Sequence, residues 1–474
     1  MDRVIVGPAP AMVKTRLSLM MFLQYAIWGA WLPLLWPFLS NVRDLEGDQI
    51  GQIFAVGAIG AIVAPFIAGQ IADRYFNTEK FLGISHLLGG VLVWQLATIE
   101  SFNGLLMFSL LYSLIYSPTL SLTNSLAFHH LPDRDADFGK VRVWGTIGWI
   151  AVGIAIGQWL LHMHTPTEIV VNDLVTNAAE IAEAQYIGMA DAFRLSGILG
   201  GLMGLFCFLL PATPPAGGEQ KNATFEALGE IKKQPLLTLF LLAVPVSCIH
   251  QFYFVHTAGF LGKFQGAASD SIQRIFGVGG GGLMTIGQMA EILVLAAIPL
   301  VAKQVSRKTL LGVGLAAYGL RMALFAYGNN ALAAESAMTL TNVMNDGGGS
   351  LSTIAVLAGV ALHGLCFGCF IFVAFMVVDE ETTADVRASA QSLFNLVIIG
   401  LGIIVGSMIA GWVADWATVP VADGSLTETG TVATELDYTR LFSIPMWASL
   451  ACLVALIAFY PNRPPRSLTT AENV

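Results

Sequence analysis

Gln288 and Glu291 lie three residues apart within residues 284–301, MTIGQMAEILVLAAIPLV, a stretch otherwise apolar and long enough to cross a bilayer. On a helix that spacing puts the amide and the carboxylate on one face, where both reach a single ligand. An ionisable group at mid-membrane costs about 3 kcal/mol or more, so its default reading is functional: a substrate contact, a proton relay, or both. The alternative is a carboxylate neutralised by a proton, or by a partner on a neighbouring helix, that holds the bundle together. Loss of water disfavours an ionised carboxylate and a nearby cation favours it. Substrate and proton therefore alter each other's occupancy at such a residue, which is thermodynamic coupling between two ligands.

Positioning this pair takes a membrane bundle, and composition points to one. Of 474 residues, 55% are hydrophobic and 12% are charged, against about 25% charged in a soluble domain. A spanning helix needs about 20 mostly apolar residues. Twelve stretches fit: 17–39, 49–71, 80–99, 104–128, 140–161, 191–211, 235–260, 276–301, 309–327, 353–378, 388–416 and 439–460. Arg3, Lys14 and Arg16 precede an apolar run too long for a secretory signal and without a small-x-small cleavage site, so 17–39 is expected to remain as the first span. With the N-terminus inside, 16 of the 23 Lys and Arg fall in inner segments and five (Arg43, Arg194, Lys263, Arg274, Arg440) in outer ones, leaving Arg142 and Arg321 within spans. The positive-inside rule then puts both ends in the cytoplasm. The formal charge of −9 is spread through loops, and no basic block with interleaved aromatics suggests a nucleic-acid partner.

Other motifs read as packing or linkage. Cys207, Cys248, Cys366, Cys369 and Cys452 all fall inside spans, so no disulfide framework is expected, and Cys366-Phe-Gly-Cys369 lacks the second ligand pair of a zinc site. The run Gly277-Val-Gly-Gly-Gly-Gly282 matches G-x-G-x-x-G formally, but no strand precedes it. Its small residues, at the start of a span, are expected to let helices approach closely. Residues 211–235, PATPPAGGEQKNATFEALGEIKKQP, form the one long cytoplasmic interruption, dividing the chain into 1–211, a linker 212–234 and 235–474. The Asn222-Ala-Thr224 sequon would lie inside. The outer loops 162–190, 328–352 and 417–438 are acidic and polar, with Asp346-Gly-Gly-Gly-Ser350 a flexible turn. His162 and His164 are expected to be solvated, because a metal site needs further ligands. Neither a metal nor a cofactor is implied, and no nucleophile-base set suggests an enzyme.

After the second span stands Gly69-Gln-Ile-Ala-Asp73-Arg74, followed by Lys80, which resembles the G-x-x-x-D-R cytoplasmic signature of the major facilitator superfamily. That resemblance implies an all-α membrane protein of twelve transmembrane helices in two pseudo-symmetric six-helix bundles, with Gly69, Asp73 and Arg74 part of a cytoplasmic gate. Five further stretches are similar to the bacterial nucleoside:proton symporter family: Phe22-Leu-Gln-Tyr-Ala-Ile-Trp28-Gly-Ala-Trp31-Leu, Arg142-Val-Trp-Gly-Thr146-Ile-Gly148, Gln288-Met-Ala-Glu291, Leu320-Arg321-Met-Ala-Leu-Phe-Ala-Tyr327-Gly and Arg387-Ala-Ser-Ala-Gln391. They occur in matching order across both halves.

The family implies a central cavity that binds a nucleoside. Arg142 and Thr146 match its contact positions on the fifth span, Gln251 on the seventh, Gln288 and Glu291 on the eighth and Phe367 on the tenth. Arg142 is expected to donate to a ribose hydroxyl or base carbonyl, or to pair with Glu291 in the empty site; the competing reading is an interfacial arginine that snorkels. Amides donate and accept together, which suits a nucleobase edge and vicinal hydroxyls, and Phe367 can stack on the base. Three positions depart from the family: Phe254 replaces a polar residue, His363 a tyrosine and Gly368 an aspartate. His363 brings a group that titrates near neutrality, or else is a hydrogen-bonded core histidine. The expected mechanism is proton-coupled import by alternating access, with Glu291 as the proton carrier, in a monomer of the bacterial inner membrane. The alternatives left open are sodium coupling and a sugar, glycoside or other polyol as substrate. Arg321 has no role beyond the resemblance. If both ends are cytoplasmic, a C-terminal fluorescent-protein fusion will fluoresce and a C-terminal alkaline phosphatase fusion will stay inactive; the opposite pair of signals would reverse the topology.

Overall fold

The structure, a computed structural model, describes residues 11–67, 76–131, 134–171, 174–214, 224–267, 270–336, 351–383, 386–421 and 432–462. Among them, ten helices are long and apolar enough to cross a membrane. Helices dominate because hydrocarbon offers no partner to a backbone N–H or C=O, so each spanning segment must satisfy its own. Numbered by the main helices, α1 is Ala11–Trp31, α2 Gly47–Ile67, α3 Thr78–Leu96, α4 Phe102–His130, α5 Arg134–Met163 and α6 Ala190–Cys207. The second set is α7 Leu236–Ala267, α8 Gly281–Val301, α9 Arg307–Ser336, α10 beginning at Leu351–Ala361, α11 beginning at Arg387–Asn395 and α12 Tyr438–Phe459.

Several expectations change. The first span is not one helix: it passes from α1 through a 3₁₀ turn, Leu32–Leu34, into Leu35–Val42, because Pro33 cannot donate to the i−4 ladder. α10 and α11 also change pitch, continuing as π-helix over Cys366–Phe372 and Leu396–Gly402 before returning to α-helix at Val373–Glu381 and Ile403–Ala417. The all-α expectation misses two short hairpins in the loops after α5 and α11, Val170–Val171 with Leu174–Val175 and Thr418–Pro420 with Thr434–Leu436. α9 runs on to Ser336, into residues expected to be loop. The segment expected to be a linker contains a helix, Thr224–Ile231. His164 is not a free loop residue: its Nε2 lies 2.8 Å from Asp191, which also accepts from Trp159 Nε1 at 2.8 Å and Arg194 at 2.6 Å, tying the loop after α5 to α6. His162 is exposed, as expected. Gly69, Asp73, Arg74, Asn222 and Asp346 through Ser350 lie outside the described residues.

Long apolar helices bury one another along shared seams: α1 on α5, α2 on α4 and α11, α3 on α6, α5 on α8, α7 on α11 and α9 on α12. The α2–α11 seam ends in a polar clasp. Asp415 accepts the backbone N–H groups of Gly47 at 2.7 Å and Asp48 at 2.9 Å, two donors that the first turn of α2 leaves without intrahelical partners. The last two glycines of the run, Gly281 and Gly282, open α8 as expected, while the residues before them, Gly277 to Gly280, form a turn. Gly277, Gly279 and Gly280 have φ of 71°, 84° and 80°. This left-handed backbone costs a residue with a Cβ about 1–2 kcal/mol, and a Cβ on Gly277 would also run into the backbone of Gly157 on α5. Gly277→Ala should therefore lower the melting temperature of the purified protein and its yield in detergent, whereas Gly201→Ala, on α6 with no atom within 4 Å of the added carbon, should leave both unchanged; equal behaviour of the two variants would contradict this account of the turn.

Candidate functional site

A cavity of about 380 Å³ opens between the helices, lined by side chains of α1, α2, α4, α5, α7, α8, α10 and α11. Helical periodicity explains the lining. Arg142, Thr146 and Trp149 on α5 and Ser247, His250, Gln251 and Phe254 on α7 follow the i, i+3, i+4, i+7 pattern of one helix face. Gln288 and Glu291 on α8 and His363 and Phe367 on α10 add to the lining. All eight residues singled out in the sequence (Arg142, Thr146, Gln251, Phe254, Gln288, Glu291, His363 and Phe367) line this cavity. Glu291 is the single Asp or Glu among its lining residues.

The polar groups are held differently from one another. Gln251 donates from Nε2 to Ser407 Oγ at 3.0 Å, which fixes its amide, while Gln288 Oε1 is buried with no partner and remains open to a donor from a ligand. Arg142 does not pair with Glu291. Its guanidinium lies over the Tyr25 ring, 4.0 Å from the centroid, while the Glu291 carboxylate is 3.6 Å from His363 Nε2. That separation is within ion-pair range but longer than a hydrogen bond. The Nδ1 atom of His363 is 3.1 Å from Arg321, a residue with no exposed surface.

Aromatic rings form part of the remaining wall, beside aliphatic and small side chains. Trp149 meets Trp28 and Phe254 edge-on, at 5.9 Å and 6.3 Å between centroids. His363 is sandwiched between Tyr253 at 4.6 Å and His250 at 5.4 Å, with both interplanar angles at or below 25°. The sequence reading missed His250, Tyr25, Trp28 and Trp149. His250 carries the signal that identified Glu291, a polar side chain in an apolar span one position from Gln251, but the aromatics could not be told from ordinary core.

A family model described as Nucleoside H+ symporter matches residues 11–464. The chain belongs to the nucleoside:proton symporter family. YegT of Escherichia coli K12 is 31% identical over 410 residues, covering 84% of this chain and 83% of that protein. Nucleoside permease NupG of the same organism is 25% identical over 430 residues, covering 86% and 91%, and its xanthosine permease 27% identical over 418 residues, covering 86% and 89%. The crystal structure of nucleoside transporter NupG superposes with a TM-score of 0.73 at 22% identity over 95% of this chain and 100% of that one, a likeness of fold.

Within this symporter, the position where the family resemblance leads one to expect an aspartate shows what the substitution does. A Cβ on Gly368 would lie 2.6 Å from Val294 Cγ1, and one on Gly364 would meet the α8 backbone at Ala290 and Glu291. Gly364 and Gly368 therefore form a G-x-x-x-G face through which α10 presses against α8. That close approach carries His363 to within reach of Glu291. The C-x-x-C of the same stretch is packing: both cysteines are buried and free.

Proposed function

We propose that this chain imports nucleosides together with protons by alternating access across a bacterial inner membrane, as a monomer with both termini cytoplasmic. Two six-helix halves, 1–211 and 235–474, would rock about the central cavity with 212–234 as their linker, and Gly69, Asp73 and Arg74 would latch them on the cytoplasmic side. The observation that carries the reading is the convergence of the family's contact positions on one cavity that holds a single carboxylate, Glu291. A volume of about 380 Å³ suits a ligand of nucleoside size.

Each side chain has a role its chemistry allows. Arg142 and Thr146 bind the ribose hydroxyls or a base carbonyl, and Gln251 and Gln288 read mixed donor and acceptor edges. Phe254 and Phe367 offer faces for base stacking. Glu291 takes the proton that favours substrate binding from outside and releases it inside, so the gradient drives accumulation. A carboxylate that carries the proton cannot be replaced by an amide. In proteoliposomes, Glu291→Gln should abolish concentrative uptake of radiolabelled uridine or adenosine under an imposed proton gradient while leaving counterflow measurable. Unaltered gradient-driven accumulation in that variant would sink the coupling role, and failure of every nucleoside to compete, against a sugar panel that does, would transfer the site to polyols.

A further inference from the structure

We propose that Arg321, His363 and Glu291 form a relay in which Arg321, shut off from the cavity, sets through His363 the hydrogen offered to the cavity carboxylate. The relay deepens the transport reading above and rests on it for Glu291's role. Its starting point is an anomaly. A charge with no exposed surface is tolerated when paired, yet Arg321 has as its hydrogen-bond partner among the described residues only His363, with Nε and the second terminal nitrogen unpartnered. Its guanidinium is otherwise flanked by the faces of Tyr253 at 4.1 Å and Tyr318 at 5.4 Å.

The chemistry of the three groups fixes their order. A guanidinium only donates, so His363 Nδ1, 3.1 Å away, must accept. The neutral ring then carries its hydrogen on Nε2, the atom that faces Glu291 Oε2 at 3.6 Å. Stacking between Tyr253 and His250 keeps the ring from turning. When Glu291 is ionised, its charge compensates Arg321 across the imidazole; when Glu291 takes a proton, Arg321 stands uncompensated and this wall of the cavity becomes cationic. The proton is gained and lost at Glu291, while His363 keeps its Nε2 hydrogen throughout. The other titratable or charged groups facing the relay are His250 and Tyr253 from α7, Tyr318 from α9, Cys366 from α10 and Arg142 from α5. Arg321 is thus a positioning residue and the fixed counter-charge of the coupling site.

Two measurements test this. Nitrogen-15 NMR of the histidine-labelled protein should show the resonance that disappears in His363→Gln as the Nε2–H tautomer, and Arg321→Met should shift it toward Nδ1–H; an Nδ1–H or imidazolium signal in the unmodified protein would overturn the relay. In proteoliposomes, Arg321→Met should lower gradient-driven uptake about tenfold or more but counterflow by less than about threefold. Arg321→Lys, which keeps the charge and a donor, should restore most of the uptake. The Arg321→Met and His363→Phe double variant should be no more impaired in uptake than His363→Phe alone. Equal loss in both transport modes, or losses that multiply in the double variant, would make Arg321 merely structural. Unmodified protein that carries no nucleoside in either mode would overturn the substrate reading instead, and the tautomer measurement would still decide the relay.

Discussion

A guanidinium with no exposed surface is the constraint around which half of this bundle is arranged. Leaving a charge unsolvated and unpaired inside a protein costs several kcal/mol, so structure must supply what water cannot. Here the supply comes from four helices at once: the ring of Tyr253 on α7, the ring of Tyr318 on α9, the imidazole of His363 on α10 and, beyond it, the carboxylate of Glu291 on α8. Cation–π contacts of this kind strengthen where water is absent. Each of these helices also presents side chains to the cavity or stands directly behind one that does, so the charge balance of the core and the geometry of the binding wall are the same problem.

The solution depends on residues that have no chemistry of their own. Gly364 and Gly368 remove the side chains that would hold α10 away from α8, and the adjoining π-helical turn, Cys366–Phe372, rotates the helix face as it passes the cavity. Irregular pitch of this kind is concentrated at functional sites because it re-aims side chains without breaking the helix. Gly364 against Ala290 and Glu291, and Gly368 against Val294, let α10 lie close enough to α8 for His363 to reach Glu291.

Irregular backbone elsewhere follows the same economy. The 3₁₀ turn at Leu32–Leu34 and the left-handed turn at Gly277–Gly280 both lie where other protein covers them, Gly279 against Leu34 and Leu160 and Gly277 against Gly157. Non-helical backbone in a membrane protein is tolerated only under such cover. At the N-terminal end of α2, Asp415 performs the corresponding task for two helix-terminal N–H groups.

Apolar length and charge placement were enough to read the class of protein and its most conspicuous embedded polar residues, because a polar group in hydrocarbon carries a penalty large enough to stand out in a single sequence; Thr146, Gln251 and Phe367 were legible only through the family resemblance. Gln288, Glu291 and Arg142 were visible for that reason. His250 was not separated from ordinary polar substitution, and Tyr25, Trp28 and Trp149 were invisible, since an aromatic ring in a span looks the same whether it faces lipid, core or ligand. Arg321 was visible as an anomaly but had no meaning until tertiary structure set it against His363. Which nitrogen of that ring faces Glu291, and that Arg142 lies on Tyr25 instead of pairing with Glu291, depend on how α5, α8, α9 and α10 approach one another. Those approaches are decided by glycines and π-turns acting between segments far apart in sequence, and periodicity along one helix contains no information about them.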